Sequence, residues 1–107
     1  MNPDQIMIVY ITCVDTDEAR QIARALVEER LAASVNISQH ETVYHWQGVL
    51  VDGAEAAMIA KTTAAKYDDL EARVRQLSSY MVPCIIAWPI ERGLARYVEW
   101  ARGELEE

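Results

Sequence analysis

Only two histidines, His40 and His45, and two cysteines, Cys13 and Cys84, occur in the 107 residues. Neither histidine flanks a cysteine or serine at a spacing that nucleophilic enzymes use, and five residues apart on a strand they point to opposite faces. The expectation is a protein that is not an enzyme. The cysteines have no Cys-x-x-Cys spacing, which removes the usual structural zinc site and the dithiol redox motif. Gly48, Gly53, Gly93 and Gly103 stand apart, so no glycine-rich loop exists to cradle a phosphate. No apolar run approaches the ~20 residues that span a bilayer. The first five residues lack the basic start of a secretory signal, which makes a cytoplasmic chain with no membrane partner the default expectation. Cations are scarce too: 10 Lys and Arg against 17 Asp and Glu leave a net charge of −7. Scattered among acidic residues, they form no phosphate-binding surface, and nucleic acid is excluded as a partner.

What is present reads as one domain over residues 1–107, long enough to fold around a single core without staples. Residues 6–12 (IMIVYIT) are apolar on both faces and too short for a helix, as in a central strand. Asp15 followed by Glu18 has the form of a capping box, and Ala19, Ile22, Ala23, Leu26 and Val27 recur at helical spacing. This helix is expected to reach about residues 31–33. A short strand at 34–37, a loop around 38–40 and a longer strand at 42–51 follow. Asp52-Gly53 is the strongest hairpin signal, with a return strand at 54–63. A turn there sets Trp46 opposite Ile59 and Tyr44 opposite Lys61, all four on one face. Thr63 is expected to cap a second helix with the stripe Tyr67, Leu70, Val74 and Leu77. Residues 80–90 form the last strand, with Pro83 and Pro89 at strand ends, a bulge or an edge. Leu94, Tyr97, Val98, Ala101 and Leu105 mark a final helix. The fold class is α+β: a ferredoxin-like β-α-β-β-α-β sandwich with an extra C-terminal helix and a long β-hairpin.

Two features carry functional expectations. A ten-residue strand extends ~33 Å, well past the ~13 Å radius of gyration of a domain this size. Its far half, with Tyr44 and Trp46, is therefore expected to lie across another copy of the chain, the alternative being that Trp46 packs on the helices of its own chain. Cys13 ends the first strand and Cys84 begins the last, and these strands are antiparallel neighbours in such a sheet. Each cysteine is either a plain buried thiol or half of a two-thiol site for a soft metal such as copper(I).

Residues 25–37 (ALVEERLAASVNI) resemble the L-V-x-x-R-L-A-A-C-V-N-I signature of the CutA divalent-cation tolerance family. Tyr44-His45-Trp46-Gln47-Gly48 is similar to its Y-x-W-x-G motif, Lys61-Thr62 to its K-T, and residues 80–89 to its H-P-Y-E-V-P-E-I-I-A-L-P. The resemblance implies a homotrimer similar in architecture to PII signalling proteins, with the long hairpins wrapping neighbouring subunits. It implies a response to metal ions, with copper or another divalent metal bound at clefts between subunits. Tyr44, Trp46, Lys61, Tyr80 and Pro83 keep the pattern and are assigned to that inter-subunit cleft. The pattern's metal-ligand types are thinned here: its Cys is Ser34, its His is Ser78, the following Pro is Ser79, and its two Glu are Met81 and Cys84. Lys61, with Cys84 where that glutamate would be, is expected to find another acidic partner or to reach water. The other reading is a PII-like regulatory module that docks a protein partner and has no metal.

Overall fold

Alternating apolar residues, a helix cap and one tight turn build a four-stranded antiparallel sheet with two of its three helices on one face. The computed structural model describes residues 1–106. The elements are β1 (Ile6–Cys13), α1 (Thr16–Glu28), β2 (Ser34–Trp46), β3 (Val49–Thr63), α2 (Ala64–Leu77), β4 (Ile85–Pro89) and α3 (Ala95–Glu104). The strand order β2-β3-β1-β4, with every neighbouring pair antiparallel, is the expected ferredoxin-like arrangement.

The core lies where the strands face α1 and α2. Val9, Ile11 and Cys13 of β1 alternate inward and meet Ala56, Met58 and Ala60 of β3. Ile22 and Leu26 of α1 and Leu70 and Val74 of α2 close over them, all essentially without solvent contact. Burying a side chain of this size is worth ~2 kcal/mol. A smaller cluster joins Ile6 and Ala33 to Ala101 and Leu105, and this fixes α3 near the start of β1.

Local chemistry departs from the sequence expectations at three points. Asp15 caps α1 as expected, its Oδ1 accepting from the Glu18 N–H at 2.8 Å. The Glu18 carboxylate, however, accepts from the Ser79 N–H at 3.3 Å, so half of the expected box becomes a tether to the segment before β4. The helix also stops at Glu28, short of 31–33. Arg30 turns left-handed at φ 61° and the Leu31 N–H returns to the Leu26 carbonyl at 2.8 Å, which ends the helical ladder. At its N-terminus, α2 has Thr63 in the cap position, but the hydroxyl makes no capping bond.

The largest departure is the hairpin. β2 runs unbroken through residues 38–40, and the chain reverses at Gln47-Gly48, with φ of 50° and 82°. Two consecutive positive φ values are those of a type I′ turn, whose twist matches that of the strands it joins. Trp46 therefore faces Val49, Tyr44 faces Val51, and Lys61 faces Ser34. Asp52 and Gly53 sit inside β3, opposite Val43 and Thr42. A direct check on the turn is to compare two glycines. Gly48→Ala is expected to cost ~1 kcal/mol, because a Cβ at positive φ is strained. Gly53→Ala should be neutral or slightly stabilising, because its Cβ meets no atom within 4 Å and its φ is not left-handed. Equal losses in urea unfolding would contradict this register.

Candidate binding cleft

The sheet face opposite α1 and α2 carries Tyr10 and Thr12 of β1, Glu55 of β3 and Tyr44 and Trp46 of β2, because pleating sends alternate residues there. Beyond the end of β1, the β2–β3 hairpin and the segment 79–84 bound a cleft of about 560 Å³. Its walls hold Tyr10, Tyr44, Trp46 and Tyr80, with Glu55 and Cys84 between them.

Several bonds fix this geometry. Besides the Glu18 tether on Ser79, the Tyr80 N–H donates to Ser78 Oγ at 3.1 Å. The Tyr80 hydroxyl donates to Glu55 Oε2 at 2.9 Å and also lies 3.4 Å from the Cys13 carbonyl. Thr12 and Cys84 are cross-strand partners: the Thr12 N–H donates to the Cys84 carbonyl at 3.1 Å, and the Cys84 N–H donates to Thr12 Oγ1 at 3.2 Å. Burial raises the Tyr80 phenol well above its ordinary value, and the bond to Glu55 adds to this. Cys84 is raised as well, by burial first and Glu55 second. The cleft thus keeps Cys84 a thiol, the opposite of what a nucleophile needs.

The two-thiol expectation fails on register. Cys84 pairs with Thr12 and lines the cleft, whereas Cys13, one residue on, points into the core under α1 and α2. Adjacent residues on a strand face opposite sides, so Cys13 and Cys84 cannot share an ion within one chain. Both are free cysteines. Divalent ions need more donors than the cleft offers: among the described residues no three His, Cys, Asp or Glu side chains converge. A lone carboxylate and a protonated thiol do not fit a divalent metal in a single chain.

Of the residues assigned to an inter-subunit cleft, Tyr44, Trp46 and Tyr80 do come together here. Pro83 lies in the bounding segment but not in the cleft wall, and Lys61 is displaced along the sheet to the level of Ile8. Among the described residues Lys61 meets neither the acidic partner nor the open water that were its two expected outcomes. It is buried at 9% exposure, and its Nζ donates to Asn36 Oδ1 and to the Ile59 carbonyl at 3.3 Å. Burial next to neutral acceptors lowers its pKa. Sequence reasoning missed Glu55, Tyr10 and Thr12. The signal for Glu55 was there, a single carboxylate inside the apolar run AEAAMIA.

A family model described as CutA1 divalent ion tolerance protein matches residues 7–104. The divalent-cation tolerance protein CutA of Thermus thermophilus is 46% identical over 96 residues, covering 89% of this chain and 93% of that one. Its counterpart in Archaeoglobus fulgidus is 41% identical over 92 residues, 86% of this chain and 90% of the other. The solved structure of the periplasmic divalent cation tolerance protein CutA from Archaeoglobus fulgidus superimposes with a TM-score of 0.92 at 39% identity, over 94% of this chain and 99% of that one. With fold, order of motifs and nearly the whole length in agreement, the chain belongs to the CutA1 divalent ion tolerance family.

Proposed function

We propose that the chain works as a non-catalytic homotrimer that contributes to divalent-cation tolerance as a binding scaffold, with no resident metal ion within a single chain. One observation carries this reading. On the sheet face not covered by α1 and α2, Ile59, Ile86 and Trp88 are 40%, 56% and 47% exposed, beside the half-exposed Tyr44 and Trp46. Large apolar side chains clustered on one sheet face mark a surface that is covered in the working protein. The hairpin adds to it: Val43, Val49 and Leu50 are at least 60% exposed on a molecule 44 Å long. A second copy of the same face supplies matching apolar surface. The number three is what the family resemblance implies.

No helix among the described residues is long and apolar enough to cross a membrane. The cytoplasm is the proposed compartment, where a reducing environment would keep both thiols free. Sedimentation equilibrium at micromolar concentration tests the assembly: a trimer mass supports it, and a stable monomer overturns it.

A further inference from the structure

We propose that the cleft between the hairpin and residues 79–84 binds a small organic ammonium cation. Its lining contains one carboxylate, Glu55, and no lysine, arginine or histidine. Tyr80 anchors that carboxylate through Oε2, and a carboxylate has room for about four hydrogen bonds. His40 is Glu55's cross-strand neighbour, but its Nε2 is engaged by Ser38 Oγ at 2.8 Å and it lies outside the cleft wall. The acidic charge of the cleft is thus left for a ligand to balance.

The rest of the wall selects the kind of cation. Four aromatic rings, Tyr10, Tyr44, Trp46 and Tyr80, surround the same space. An aromatic ring presents a negative face, and several rings around one site attract cations that are large and weakly hydrated. A compact metal ion holds its water and demands several oxygen donors, which this wall does not provide. An alkylammonium group asks for less: one carboxylate for its charge and apolar, polarisable surface for its carbons. Met81 and Val82 extend that apolar surface at the rim. The volume of about 560 Å³ suits a small organic molecule.

All these groups come from one chain, and the inference takes the cleft to stay open beside the proposed interface. Because Tyr44 and Trp46 also border the proposed interface, binding and mass are measured on the same samples. The probes are tetramethylammonium chloride and, as a neutral analogue of similar size, tert-butanol, each titrated by calorimetry and by tryptophan fluorescence. The expected result is saturable binding of tetramethylammonium that tert-butanol does not displace. Glu55→Gln, which keeps an acceptor for Tyr80, should weaken that binding by about tenfold, and Trp46→Leu should also weaken it. Sedimentation of each variant separates a lost site from a lost assembly. Three outcomes each overturn the proposal: no saturable binding, equal binding of tert-butanol, or unchanged affinity in Glu55→Gln with mass and circular dichroism intact.

Discussion

Ile86→Lys is expected to turn the assembled protein into a folded monomer. Ile86, on the edge strand β4, pairs with Tyr10 on the open sheet face and is 56% exposed in the isolated chain, so the chain itself tolerates a longer, charged side chain there. In an assembly built on this face, each copy would bury an ammonium group without a partner. That costs upwards of about 3 kcal/mol per site, repeated at every symmetry-related contact. Ile86→Val keeps the apolar surface and should keep the parent mass. Sedimentation gives the mass, and far-ultraviolet circular dichroism reports whether the fold survives. If Ile86→Lys retains the parent mass, the open sheet face is not the interface.

A second large effect is expected at alkaline pH, from Cys13. Its side chain is fully buried, and its pKa is pushed from 9.0 to about 12, by burial first and then by the carboxylates of Glu18, Asp15 and Glu55. A group whose folded pKa is raised contributes stability that is fully present below the unfolded value and lost as pH rises towards the folded one. The loss therefore runs from about pH 9 to pH 12, as the unfolded chain releases a proton that the folded chain retains. Each pH unit in that window is worth up to about 1.4 kcal/mol. Cys13→Ala creates a small cavity and should be less stable at pH 7, yet its alkaline limb should be flatter. Between pH 9 and 11 the parent is expected to lose about 2–3 kcal/mol more than the variant. Tyr67 and Tyr80 are also raised and Lys61 is lowered with the opposite sign, but these contributions are largely common to both proteins, Cys13 being the smallest of the causes that raise Tyr80. Urea unfolding across that range checks this, and parallel profiles would show that Cys13 is not the titrating group.

The hairpin shows why some of the site was legible and some was not. Moving the turn from residues 52–53 to 47–48 changes the partner of Trp46 from Ile59 to Val49, a shift of ten residues. Because the side-chain period of a strand is two, an even shift leaves every residue on its expected face. Tyr44, Trp46, Ile59 and Lys61 do share one face, although every pairing expected among them is wrong. Position along the strand is not protected in the same way, which is why Lys61 lies away from the cleft. The turn itself was misplaced because Asp-Gly is the stronger local signal. The strands continue through it, since β3 pairs with β2 from Val49 to Lys61.

The sequence by itself determined the order of helices and strands, the strand order, the family and most of the inward stripes of α1 and α2, although Val27 and Leu77 turn outward and β4 begins only at Ile85 rather than at residue 80. Each of these follows from a periodicity or from an ordered run of residues. Only the tertiary structure decided which side chains meet. Cys13 ends β1 and Cys84 immediately precedes the neighbouring β4, close to what the sequence indicates, but a register of one residue puts them on opposite sides of the sheet. Glu55 and Tyr80 are 25 positions apart and touch because Glu18, on a third element, holds the Ser79 segment over the end of β1. Periodicity is written locally along a chain, whereas register and loop placement are set by the summed packing of distant segments.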